Sequence, residues 1–374
     1  MASTTARRDE VSEKLTRLRA WLAANKQDAA LLEQTANVAW LTGGAETAIN
    51  IAADRGPVAL VVTAERAYAV SDAVERPRLE REEGLTDLGF EIVAEPWYRR
   101  GAFVADMRER LHVGDDNDDN DNNSEDSNSL ARQLQQLRTT LHPNEVERLR
   151  QACLLAADAL RDVIARVSPG MTELEVAGMI AQASRTRGGI AVVNLVGSDE
   201  RIAAYRHPLP TEKRIGRYAM LVLCLRRKGL IAASTRLVHF GALPDDLERR
   251  ARAVAMVDAR MIASTQAGRT LEQQWQLAAE AYRDAGFPEA IEEHHQGGSI
   301  GYLTRERLAI PGDTTPMEVS QAFAWNPSVR GVKSEDTVLL TADGPEVLTG
   351  MPEWPIWDVI LDGQPWQRPA ILVR

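Results

Sequence analysis

Cysteine is scarce: the 374 residues include two, Cys153 and Cys224. Two are too few to staple a chain of this length, and their spacing matches no thiolate metal site, which excludes a disulfide scaffold and a zinc ribbon or finger. Long apolar runs are also missing. No segment approaches the roughly 18 uninterrupted apolar residues of a membrane span, and Met1 to Lys14 is polar, without the apolar centre of a leader. A basic block is absent as well. The formal net charge is -10, and seven acids (Asp115, Asp116, Asp118, Asp119, Asp121, Glu125, Asp126) share one run, so the rest of the chain carries -10 + 7 = -3. Nothing resembles the Lys/Arg stripe that nucleic acid or anionic lipid requires. The expectation is a cytoplasmic protein with neither nucleic acid nor membrane as a partner.

What is present suits a two-domain α/β chain. Hydrophobic residues make up 44% of a length that exceeds a single minimal module. Leu15, Leu18, Leu22 and Ala23 recur at helical spacing and lead into the short apolar run Ala29 to Leu32, then the β-branched run Val58 to Val62. Residues 1–138 read as a small α/β domain. It ends in an insertion, 114–129, made almost wholly of Asp, Asn, Ser and Glu, a composition that predicts disorder. Its Asp115-x-Asn117-x-Asp119 spacing imitates a calcium loop, but the glycine and terminal glutamate of such loops are replaced by Asn120 and Asp126. Residues 139–374 form the second domain. Two helix starts there, Gly170-Met171-Thr172-Glu173-Leu174-Glu175 and Gly268-Arg269-Thr270-Leu271-Glu272-Gln273, both place Thr three residues before Glu or Gln. That is a capping box, and the repeat at 98 residues predicts an internally duplicated domain. Strand-like runs follow at Ile190 to Val196, Tyr218 to Leu225, Leu230 to Thr235 and Val338 to Thr341.

These pieces, in this order, resemble the creatinase, prolidase and aminopeptidase P family. The resemblance rests on Val38 to Gly43, on Leu141-His142-Pro143-Asn144-Glu145 and its following helix, on Gly229 to Arg236, and on Gly331 to Thr337 with Thr341-Ala342-Asp343-Gly344. It implies an amino-terminal α/β domain followed by a pita-bread domain of two pseudo-symmetric halves, a small-molecule or short-peptide substrate, and a homodimer. Peptidases of the family hold two metal ions with two aspartates, a histidine and two glutamates. Here the resemblance puts those positions on Val222, Ala233, Gly298, Asn326 and Glu335, so only Glu335 keeps a ligand. No acid lies between Glu212 and Asp245, so no shift of register restores the aspartate pair. The implied metal set is therefore none, and no cofactor is expected.

Creatinase, which shares the fold and cleaves a carbon–nitrogen bond without metal, implies a catalytic histidine at His207. An imidazole suits proton transfer near neutral pH. His294 precedes the lost ligand position by four residues and is the second candidate, with Glu335 in support. Arg236, Arg206, His295, Glu306 and Asp336 are candidate substrate-binding residues. If the segment of His294 and His295 is extended, the two rings point to opposite faces and at most one serves the pocket. Arg305-Glu306 stands where relatives carry a His-Glu pair, and Thr235 where creatinase carries a glutamate, so creatine itself is disfavoured. The expected activity is metal-independent hydrolysis of a small amidino, amide or peptide-like molecule. The alternatives are a catalytically silent binding protein and an Xaa-Pro aminopeptidase or dipeptidase with a rearranged metal site drawn from His207, His239, His294, His295 and Glu306.

Overall fold

The structure is a computed structural model that describes residues 4–116 and 129–374. The chain divides into two compact units, residues 1–145 and 146–374. The division falls a few residues beyond the expected boundary at 138/139.

The first unit comprises α1 (Thr4–Ala24), β1 (Ala29–Gln34), α2 (Thr35–Leu41), β2 (Arg55–Thr63), β3 (Ala67–Asp72), α3 (Arg76–Arg81), β4 (Glu91–Glu95), α4 (Ala102–Arg110), β5 (Val113–Asp115) and α5 (Leu130–Thr139). Its five strands form one mixed sheet in the order β4-β3-β2-β1-β5. β1 is buried on both faces from Ala29 to Leu32, which explains its short unbroken apolar run. α1 starts well before the periodic leucines because its first half is charged yet packed. Lys14, almost fully buried, is 2.6 Å from both Glu10 and Glu145 and donates to the Trp40 carbonyl at 2.8 Å, so the ammonium is fully compensated.

Part of the acidic run departs from its expected disorder. Gly114 and Asp115 extend β5 parallel to β1. Asp116 is fully buried and accepts hydrogen bonds from the backbone N–H groups of Glu33 and Gln34 and from the Asn37 amide. Ser129 is the N-cap of α5. The rest of the expected insertion, 117–128, and with it most of the calcium-like spacing, lies outside the described residues.

The second unit begins within α6 (Pro143–Ile164) and continues with α7 (Glu173–Thr186), β6 (Ile190–Ser198), α8 (Glu200–Ala204), β7 (Tyr218–Arg227), β8 (Leu230–His239), α9 (Asp245–Ala263), α10 (Leu271–Asp284), α11 (Ala290–Glu293), β9 (Gly297–Ile300), β10 (Arg307–Leu308), β11 (Ala322–Trp325), β12 (Ser328–Val329), β13 (Val332–Lys333), β14 (Asp336–Thr341), β15 (Gly344–Val347), β16 (Ile356–Leu361), β17 (Gln364–Pro369) and β18 (Leu372–Val373). Two sheets, β18-β8-β7-β6 and β10-β9-β11-β14-β15, carry the two halves. The duplication is detailed. Both capping boxes form. Thr172 bridges Arg214 as Thr270 bridges Pro316. The Glu173 and Leu174 amides reach the Lys213 and Thr211 carbonyls just as those of Leu271 and Glu272 reach Thr315 and Asp313. The sheets meet where Thr235 of β8 bridges Glu335, its amide donating to the Glu335 carbonyl at 3.0 Å.

Four tryptophans of the second unit serve packing. Trp325 is fully buried and donates to Thr265, Trp354 donates to the Ala370 carbonyl, and Trp357 and Trp366 of the β16–β17 hairpin cover α9.

Candidate functional site

Three histidines converge in the second unit. His207 lies in the proline-flanked loop after α8. That loop settles on β6 because Gly197 has no side chain: a Cβ there would lie 2.6 Å from Pro208 Cγ. His294 and His295 lie in the bend between α11 and β9. The fully buried Gln296 ties this bend down by donating to the His294 carbonyl and accepting from Tyr282 Oη at 2.6 Å.

His294 Nε2 is 3.1 Å from His207 Nε2. The His294 and His295 rings stack with centroids 4.4 Å apart, and His207 lies 4.9 and 6.2 Å from them. The opposite-face arrangement that an extended segment would impose is not what the rings adopt: both lie beside His207. Strand alternation does not apply, since the pair occupies a bend that ends before β9 begins. Burial, reinforced by Lys333 and the neighbouring imidazoles, holds His294 down at about 2. Burial with Arg305 and Lys333 brings His295 to about 4 and, with Lys333 ahead of Arg305, lowers His207 too. At neutral pH His294 and His295 are uncharged, so the 3.1 Å contact is an ordinary donor–acceptor pair when His207 is uncharged as well, one Nε2 protonated and the other bare.

Glu335 sits at the join between the sheets, 2% exposed. Its Oε2 accepts from Thr235 Oγ1 at 2.7 Å and lies 3.4 Å from Lys333 Nζ, while Oε1 accepts from Arg305 at 3.2 Å. Burial pushes this carboxyl up, but Lys333 and Arg305 outweigh it and hold the group at about 2. Lys333 was missed at the sequence level. The available signal was a lone lysine inside a buried strand segment.

The other candidate residues are placed away from this role. Arg236 and Asp336 are buried partners, 2.8 Å apart. Asp336 also pairs with Arg368 at 2.6 Å, Arg368 with Asp258 at 2.6 Å, and Arg236 donates to the Thr349 and Thr235 carbonyls. This ion network ties β8 to β14 and to the β16–β17 hairpin, so the structure gives both residues internal charged partners. Glu306 is buried and accepts from the backbone N–H groups of Tyr302 and Leu303, an anchor for their turn. Arg206 pairs with Glu293, which Arg330 also holds. His239 is buried with Nδ1 3.1 Å from the Gly241 carbonyl, apart from the cluster. Cys224 is buried, its thiol pushed up to about 12 by burial, an inert core residue.

The residues at the five family ligand positions do not fit a pair of metal ions. Val222 and Ala233 are buried in the β7–β8 sheet, Val222 within the apolar core. At Gly298 a Cβ would lie 1.9 Å from the Arg307 carbonyl oxygen, so this backbone admits no side chain. Asn326 supplies a neutral amide whose buried Oδ1 has no partner among the described residues. Glu335 is already neutralised by two side-chain cations. Among the described residues, the group whose donor atoms could surround an ion is His207, His294 and His295, all within 4.8 Å of one another.

A small mixed α/β unit followed by a duplicated two-sheet unit, with a candidate site at the join of the sheets, defines the prolidase-type pita-bread class. The sequence pattern of metallopeptidase family M24 matches residues 147–342 and that of the creatinase/prolidase N-terminal domain matches 14–112. The chain belongs to metallopeptidase family M24. It is 21% identical to an Xaa-Pro dipeptidase of Pyrococcus horikoshii over 361 residues, 91% of this chain and 98% of that protein. It is 24% identical to an uncharacterized peptidase of Staphylococcus aureus strain MW2 over 58% of this chain, and spans 64% of that relative's length. The structure of an Xaa-Pro dipeptidase from Bacillus anthracis superposes with a TM-score of 0.75 at 20% identity, covering 97% of this chain and all of that one, which establishes the shared fold. No helix among the described residues is long and apolar enough to cross a membrane.

Proposed function

We propose that this protein hydrolyses a carbon–nitrogen bond in a small amide, amidino or peptide-like substrate without the dinuclear metal centre of its family. The observation that carries the reading is the contact of His207 with His294 beside Glu335, Arg305 and Lys333. His207, exposed on its loop, removes a proton from water and returns it to the leaving nitrogen; His294 fixes its tautomer. The charge that develops on the carbonyl oxygen is stabilised by Arg305 and Lys333, fixed cations that do the electrostatic work of a metal pair. Glu335 holds those cations in place. On this reading it is a positioning residue.

The test is a panel of Xaa-Pro dipeptides and small amidino acids, assayed with and without chelator. Loss of turnover in His207→Ala together with indifference to chelator is the expected result. Turnover that survives His207→Ala sinks the proposal, and binding without turnover in the wild type identifies a silent ligand-binding protein.

A second reading rests on the convergence of three imidazoles, two of them firmly uncharged at neutral pH, which could hold one divalent transition metal ion with an open position. Arg305 and Lys333 repel such an ion, which is why it ranks second. Elemental analysis after incubation with manganese, zinc and iron and then desalting separates the two: about one ion per chain, with activity lost on its removal, favours the second. Homodimerisation and a cytoplasmic location belong to the same proposal. A single-chain mass in solution scattering overturns the dimer.

A further inference from the structure

We infer that Glu293, clamped between Arg206 and Arg330, is a positioning residue that holds the loop of His207 against the bend of His294. This rests on the reading that the two imidazoles work as a pair, and it adds what aligns them. Two adjacent residues of the loop meet two adjacent residues of the bend. Arg206 pairs with Glu293, and the next residue along each segment brings His207 Nε2 to 3.1 Å from His294 Nε2. Consecutive Cα atoms lie about 3.8 Å apart, so an ion pair one residue upstream on both segments restricts where the two rings can reach.

The carboxylate is divided between its partners. Glu293 Oε2 accepts from Arg206, and Oε1 accepts from Arg330 Nε at 3.0 Å and Nη2 at 2.7 Å. Arg330 belongs to the turn between β12 and β13, shortly before Lys333. That turn is itself pinned: Tyr218 Oη of β7 donates to the Gly331 carbonyl at 2.9 Å, and Arg250 of α9 donates to the Arg330 carbonyl at 3.0 Å. Glu293 therefore joins the three segments that supply His207, His294 and Lys333. Apolar packing fixes the loop at Pro208, which settles on Gly197, while Tyr205 and Leu209 are 52% and 69% exposed. The direction of Arg206 and His207 is left to their polar contacts. Charge-assisted bonds are the stronger kind, yet an ion pair this near the surface adds little to global stability. Its removal should loosen the loop without unfolding the unit.

The experiment is nitrogen-15 NMR of metal-free protein labelled at its histidine rings, at mildly alkaline pH where imidazoles are neutral. Wild type should show a nitrogen–nitrogen coupling between His207 and His294 across their N–H···N bond, with one tautomer at each ring. Arg206→Met and Glu293→Ala should each lose the coupling and average the His207 tautomers, whereas Arg206→Lys, which keeps the charge, should retain it. If one variant does not fold, the other carries the test. Coupling intact in folded Arg206→Met or Glu293→Ala protein, its loss in Arg206→Lys as well, or its absence from wild type overturns the inference. Kinetics supply a second signature. Where wild type turns over a substrate, Arg206→Met and Glu293→Ala should lower kcat about tenfold or more with KM nearly unchanged, because alignment and not binding is disturbed. A raised KM at unchanged kcat makes Arg206 a substrate contact and overturns the positioning role. Absence of turnover in wild type sinks the hydrolase reading alone, and the coupling still decides the clamp.

Discussion

Replacing Glu335 by Gln tests whether fixed side-chain cations have taken over the join between the sheets. Gln keeps the shape and the bond from Thr235 but removes the one negative charge between Arg305 and Lys333, which lie 3.2 and 3.4 Å from its oxygens. At an effective dielectric of about 20, each contact is worth about 5 kcal/mol of attraction before the cost of burial is subtracted. The net is read from acidity. The carboxyl is held at about 2 instead of 4.5, and a shift of that size corresponds to about 3 kcal/mol of stability at pH 7. Because two cations would be left buried without a counter-charge, the loss should reach about 3–5 kcal/mol. The sign with pH follows from the depressed value: the contribution is complete above 4.5 and is lost as pH falls towards 2. At pH 3 less than half of it should remain, about 1 kcal/mol. Urea unfolding of both proteins at pH 7 and pH 3 measures the gap. A gap below about 1 kcal/mol at pH 7, or one that does not narrow at pH 3, refutes the electrostatic account.

Gly298→Ala should destabilise the second unit by more than about 3 kcal/mol, since the added methyl would sit 1.9 Å from the Arg307 carbonyl; a melting temperature within a few degrees of wild type contradicts the argument that no side chain fits there. Arg236→Met should cost about 3 kcal/mol or more by leaving the buried Asp336 with Arg368 as its one remaining cation. A variant of unchanged stability that loses only substrate affinity would instead restore the substrate-clamp role. Cys153 and Cys224 are both buried with thiols raised by burial, so iodoacetamide should leave the native protein unlabelled and modify two sites per chain in urea, as mass spectrometry would show.

The sequence made the framework legible because its signals are local. Short apolar runs mark β2 and β8, and two capping boxes 98 residues apart announce the duplication through backbone chemistry that needs no distant partner. What stayed hidden depends on distance. Asp116 is indistinguishable in composition from its acidic neighbours, and its order comes from Glu33, Gln34 and Asn37, about 80 residues earlier. Arg236 and Asp336 look like free recognition groups until Arg368 and Thr349 close around them. His207 and His294 were recognisable as reactive residue types, but their contact spans 87 positions, and His295 joins them because the chain bends ahead of β9. The surroundings of Glu335 show the same limit in part: Thr235 and Arg305 arrive from 100 and 30 residues away, whereas Lys333 stands two residues before it. A missing ligand can be read by counting carboxylates, whereas a replacing charge can be read only once the chain has folded. On the proposed reading the positive charge of this site is therefore covalent. It persists whatever the supply of metal, and the protein's electrostatics at the join are set by the stoichiometry of its own side chains.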